Sequence, residues 1–191
     1  MALTPSTMLP LGTPMPEFAL PDLDGTLVTS QQFSTAPGVL VAFLCTHCPY
    51  VKHIKRGFAA FAHEYRARGL AVIGIVSNDA TTHPDDGPGG MARDAREQGY
   101  EFPYLQDETQ QVARAFKAAC TPDLYLFDRN GRLAYRGQFD DSRPGNNRPV
   151  TGADLRAAAD AVLAGVPVPA EQKASIGCNI KWKPGNEPRY A

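Results

Sequence analysis

No stretch of this 191-residue chain approaches the roughly 18 apolar residues needed to cross a bilayer, so no membrane partner is expected. The first ten residues lack the basic and apolar regions of a secretory leader, and the expected setting is the cytoplasm. An excess of one charge is also missing. The 19 Lys and Arg residues stand against 20 Asp and Glu, a net charge of −1, which argues against a nucleic-acid partner. Internal repeats and low-complexity tracts are absent as well, and the length suits one domain over residues 1–191. Cysteine is scarce. Four in a chain this long are too few for a disulfide scaffold, and in a reducing compartment they rest as thiols. Two of the four are nevertheless only three positions apart, a spacing that chemistry explains better than scaffolding.

That pair lies in the most informative stretch of the chain. Val39 to Leu44 is an apolar run of strand length, followed by Cys45-Thr46-His47-Cys48-Pro49-Tyr50. Val51, Ile54, Phe58, Phe61 and Tyr65 then recur at helical spacing. The two cysteines therefore mark the point where a buried strand hands over to an amphipathic helix. A helix start presents unpaired N–H groups and a positive dipole end, both of which favour a thiolate. The dipole is not enough alone. Lowering a thiol pKa from about 8.5 to about 6 needs roughly 3.4 kcal/mol, whereas a helix end supplies about 0.3–2 kcal/mol. Neighbouring donors must provide the rest, and His47 and Cys48 are the local candidates.

The remaining segments frame this junction. Prolines at 5, 10, 14, 16 and 21 suggest an extended lead-in, with a short strand near Glu17–Leu20. Asp22 to Val28, with its Asp24-Gly25, predicts a tight hairpin, and Gln31–Phe33 a short helical turn. The first long helix should stop near Gly69, after Arg66 and Arg68. Leu70–Val76 reads as a strand covered on both faces, parallel to the first. A loop over Ser77–Gly90, a helix over Met91–Gln98 and a short strand at Phe102–Leu105 follow. Thr109 or Asp107 should cap a helix carrying Val112, Ala113 and Phe116. Asn130-Gly131 turns a hairpin between Leu124–Asp128 and Leu133–Gln138, and Thr151 opens a helix ending at Gly165. Residues 167–191 form a proline-punctuated tail expected to pack on the domain.

This order, with Cys-x-x-Cys followed later by Thr121-Pro122, resembles the thioredoxin fold. The lead-in Gly12-x-Pro14-x-Pro16-x-Phe18 and the later Asp24-Gly25 resemble the alkyl hydroperoxide reductase/thiol-specific antioxidant family. The blocks Cys45–His53, Thr121–Asp128, Tyr135–Pro144 and Ser175–Lys183 are similar to peroxiredoxin-like proteins of thioredoxin type. The resemblance implies an α/β domain with a central mixed sheet flanked by helices, an N-terminal hairpin extension and a C-terminal tail. It also implies a cis Pro122 facing the dithiol. Beside it the Thr121 backbone would pair with an extended substrate segment and hold a disulfide near Cys45.

The expected chemistry is thiol–disulfide exchange, with no cofactor and no resident metal. Cys45 is expected to be the exposed nucleophile, Cys48 the deeper resolving thiol, and His47 the residue that tunes the thiolate. The expected partners are a protein or small-molecule disulfide and a thiol electron donor of thioredoxin or glutathione type. A peroxidase is the alternative, with Cys48 attacking peroxide and Cys45 resolving, since Cys48-Pro49 matches a peroxiredoxin site. Cys45, however, stands where that family has a threonine, and Val41 where it has a proline. A copper- or zinc-binding module built on Cys45 and Cys48, with His47 or His53, is a third reading. Cys120 and Cys178 are possible auxiliary thiols. If the tail folds over the site, Cys178 is expected to meet Cys120 or relay electrons, with Trp182 close by. His63 and His83 read as surface residues, and Arg143, Asn146 and Arg148 belong to an exposed loop or line a groove.

Overall fold

The computed structural model describes residues 3–190. Among these, the elements run β1 (Leu3–Pro5), β2 (Ala19–Pro21), β3 (Leu27–Thr29), β4 (Gly38–Phe43), α1 (Pro49–Ala67), β5 (Ala71–Val76) and α2 (Pro88–Gln98). They continue with β6 (Tyr104–Gln106), α3 (Gln111–Ala115), β7 (Cys120–Thr121), β8 (Asp123–Asp128), β9 (Leu133–Gly137), α4 (Ala153–Ala164) and β10 (Ile176–Asn179).

Five strands form the central sheet in the order β6-β5-β4-β8-β9. β4, β5 and β6 pair in parallel, while β8 runs antiparallel to both β4 and β9. The sheet is thus mixed, and helices lie on both faces, which is the thioredoxin-like architecture. β4 occupies the centre, and every one of its residues is buried. This explains its unbroken apolar run: Leu40 and Ala42 enter one core, Val39, Val41 and Phe43 the other. The first core joins Phe58 and Phe61 of α1, Met91 of α2 and Leu155 of α4. The second joins Phe116 beside α3 with Tyr125 and Phe127 of β8.

α1 carries the dithiol, so its anchoring matters most. Pro49 stands at its first position, where a missing N–H costs nothing. Val51, Ile54, Phe58, Phe61 and Tyr65 all face the core, and Gly69, at φ 97°, ends the helix turn. Truncating a ring such as Phe58 would cost about 3–5 kcal/mol. Asp107 caps the α3 region, its carboxylate accepting the N–H groups of Val112 and Ala113.

The structure departs from the sequence pattern in two places. α2 starts at Pro88 instead of Met91, because Pro88 opens the first turn despite the two glycines behind it. A Cβ on Gly90 would stand 2.0 Å from the Asp85 carbonyl oxygen, so the tight approach to the preceding turn needs glycine there. The second departure is larger. The proline-rich lead-in contains β1, which pairs with β10 of the tail, and β10 pairs in turn with β7 beside Pro122. These three strands form a separate small sheet in the order β1-β10-β7.

Candidate active site

Cys45 follows β4 by two residues, and Cys48 is the residue that caps α1. The Cys48 N–H points at the Cys45 sulfur, 3.3 Å away, and the Thr121 hydroxyl lies 3.2 Å from that same sulfur. The Cys48 sulfur faces the Thr121 carbonyl oxygen at 3.3 Å and the Cys178 sulfur at 2.7 Å. The Thr121–Pro122 peptide bond is cis. Strand β4, helix α1, the β7 edge and the tail strand β10 thus bring three thiols and Thr121 to one point. All four cysteines are free.

Within this cluster the surrounding groups favour the charged form at Cys48 over Cys45. Hydrogen bonding from the Cys45 thiol is the largest influence. It outweighs burial and is helped by the Cys178 thiol and the Val51 N–H, so that the Cys48 pKa is lowered from about 9 to about 4. That direction favours the thiolate. The helix end contributes at most ~2 kcal/mol to it. Cys45 goes the other way: burial, then its bond to Cys48 and the charge of Asp86, push it well above the ordinary thiol range. Cys178 is pushed up to about 12, by burial first and by Cys48 second.

Several expectations change at this point. Cys45 is not exposed, because both it and Cys48 are wholly enclosed and β10 lies against them. Burial first, then the Cys48 bond and Asp86, disfavour a thiolate at Cys45, the residue expected to be the nucleophile. The Thr121 backbone is not free for a substrate segment, because Cys178 is already its β-partner. Cys178 meets Cys48 instead of Cys120, whose sulfur points to the Pro122 carbonyl oxygen at 3.6 Å. Trp182 packs into the core on the opposite face of the sheet from the cysteines.

His47 also differs from its expected role. Its Nδ1 lies 2.7 Å from Asp86 Oδ2, and its ring stacks on His83 at 4.7 Å, so His83 belongs to the site's surroundings and not to a free surface. Asp86 was invisible in the sequence. Fully buried in a short turn, it accepts from the Thr46 N–H and hydroxyl and from Asn78 Nδ2. Burial would raise its pKa, but His47, Thr46 and Asn78 together lower it to about 2. The only available signal was a run of loop residues with Pro84 and two adjacent aspartates, which does not reveal which one turns inward. Lys55 is a second residue missed: on the buried side of α1, its ammonium reaches the Thr46 carbonyl and the Asp94 carboxylate.

Cys45, His47 and Asp86 offer metal-ligand atoms within 4.8 Å of one another. Both Asp86 oxygens are already committed to internal donors, however. The opening beside the loop is a cavity of about 440 Å³ lined by His47, by Lys52, Lys55, Arg56 and Arg93, and by Asp85, Asp94 and Glu97. Arg143, in contrast, lines a smaller hollow with Tyr50 and Pro122.

The pattern of the AhpC/TSA family matches residues 11–136, about two thirds of the chain. The chain belongs to the AhpC/TSA family. This AhpC/TSA protein is 51% identical to a hypothetical protein of Sinorhizobium meliloti 1021, over 95% of this chain and all of that one, with a TM-score of 0.94. It is 50% identical to an uncharacterized conserved protein from Geobacillus kaustophilus, over 97% and 98% of the two chains, with a TM-score of 0.95. It is also 27% identical to the chloroplastic peroxiredoxin Q of Gentiana triflora, over 67% of this chain and 59% of the relative's length. At 18–19% identity, peroxidoxin BcpB from Mycobacterium tuberculosis (TM-score 0.60) and a thiol:disulfide interchange protein from Chlorobium tepidum TLS (TM-score 0.62) share the fold. Among the described residues, no helix is long and apolar enough to cross a membrane.

Proposed function

We propose that this AhpC/TSA protein is a thiol–disulfide oxidoreductase in which Cys48 is the attacking thiolate and Cys45 the thiol that resolves. The observation that carries this is the geometry at the head of α1, where Cys48 caps the helix and its N–H meets the Cys45 sulfur at 3.3 Å, in surroundings that lower the Cys48 pKa. Cys48 attacks one sulfur of a substrate disulfide and expels the other as thiolate. Cys45 then attacks Cys48, releases the second substrate thiol and leaves a Cys45–Cys48 disulfide. His47 acts through Asp86 as a positioning residue. By pairing with that carboxylate it limits the negative charge that Cys45 feels while giving up its proton. Thr121 steadies the Cys45 sulfur through its hydroxyl.

Enclosure of both sulfurs decides what kind of substrate suits the site. Because both sulfurs are buried, an outside molecule needs a local opening to reach Cys48, and a small disulfide needs less movement than an extended polypeptide. Beside the loop, Lys52 and Arg56 line a cavity that also carries Asp85, Asp94 and Glu97, with Lys55 and Arg93 paired to Asp94 and Asp85, so its charge does not choose among thiol electron donors. A cytoplasmic setting, where the four thiols rest reduced, fits this direction of electron flow.

A peroxidase reading is favoured by the same residue, since Cys48 followed by Pro49 is where that chemistry would sit. One comparison tests both. With a glutathione donor, reduction of a small mixed disulfide is expected to fall more than about 100-fold in Cys48→Ser. An unchanged Cys48→Ser protein contradicts the assignment. Hydrogen peroxide consumed faster than the disulfide, and retained in Cys45→Ser, moves the activity to peroxide.

A further inference from the structure

β10 occupies the place that a substrate strand would take. Cys178 is the register partner of Thr121, and a Cβ on its neighbour Gly177 would stand 2.0 Å from the Thr121 carbonyl oxygen. Only glycine lets the strand lie that close. From the other side, Leu3, Thr4 and Pro5 of β1 pair with Cys178, Gly177 and Ile176, so the tail strand is clamped between two neighbours. The clamp sets the Cys178 sulfur 2.7 Å from the Cys48 sulfur, nearer than the Thr121 carbonyl oxygen at 3.3 Å. Cys120 sits in β7, but its sulfur turns away toward Pro122. The chain therefore presents its own cysteine to Cys48 in the manner of a bound substrate.

We propose that Cys178 is a third redox thiol of this site, a resident partner that exchanges the Cys48 disulfide with Cys45. The proposal rests on the dithiol reading above and extends it. In the exchange, the Cys178 sulfur attacks Cys48 Sγ of the Cys45–Cys48 disulfide. The Cys48–Cys178 bond forms as the Cys45–Cys48 bond breaks. The electron pair leaves on Cys45, which takes up the proton that Cys178 gave away. No outside oxidant or reductant is consumed, and the oxidised state is shared between a sulfur just past the end of β4 and one on the tail strand. Electrons entering at the tail strand thereby reach Cys45 through a single sulfur.

The test uses the full chain with Cys120→Ser, oxidised with diamide, quenched in acid and mapped by mass spectrometry after non-reducing proteolysis. With Cys45→Ser added, two thiols remain, and the proposal expects both to disappear into an intramolecular Cys48–Cys178 disulfide. Two thiols persisting in a protein with native circular dichroism overturn it. Gly177→Ala, made with Cys45 and Cys48 intact, provides a second reading should the serine variant fold poorly. The ratio of Cys48–Cys178 to Cys45–Cys48 linkage is expected to drop at least about ten-fold, and an unchanged ratio overturns the proposal. A protein with the Cys45–Cys48 link alone rejects only the third thiol, whereas one with neither link rejects the dithiol reading too.

Discussion

At Cys48, four groups from separate parts of the chain decide which sulfur carries the charge. Cys45 and Val51 are local, but Cys178 is 130 residues away, and Asp86, which opposes charge on Cys45, is 41 residues beyond it. The sequence shows a dithiol at a helix start and nothing of these distant partners, whose combined effect favours the thiolate at Cys48 over one at Cys45, the residue expected to carry it. Thiolate absorbance near 240 nm measures this directly. Subtracting the Cys48→Ser titration from that of the native protein should leave one thiolate that is present above about pH 5. It should disappear as pH falls through about 4. A difference curve with its midpoint near 8.5, the ordinary thiol range, contradicts the assignment.

Elements with local periodicity were legible. The β4–α1–β5 unit, the hairpins at Gly25 and Asn130-Gly131, and the α4 stop at Gly165 all follow from apolar spacing and turn residues. β1 and β10 were not legible, because each is short, lies in a proline-containing segment and is stabilised by pairing across almost the whole chain. Lys55 was missed for a related reason. On its helix it looks like one polar residue among apolar neighbours, and only the packing of α2 reveals Asp94 opposite it. The pair joins α1 to α2 and holds the Thr46 carbonyl of the dithiol loop. Replacing Lys55 by Met leaves Asp94 buried without its counter-charge and should cost about 3–5 kcal/mol in urea unfolding. The Lys55→Met/Asp94→Leu double variant should recover most of that loss. A double variant no more stable than the single one would show that the pair is not what the helices share.

For the whole molecule, the decisive feature is that the two ends of the chain close over the middle. The lead-in and the tail meet as β1 and β10, and β10 places Cys178 against the buried dithiol. Enclosure by itself opposes charge on Cys48, an effect the neighbouring thiols offset, and it restricts which partners can reach the sulfur. It also makes the redox behaviour of the pair a property of the folded chain as a whole. The most direct measurement is equilibration of the native protein across glutathione redox buffers, with the thiol state read by mass after acid quenching and alkylation. A single two-electron transition that takes up two thiols, and disappears in Cys48→Ser, is the predicted result. Four thiols that stay reduced at every glutathione ratio would contradict the account.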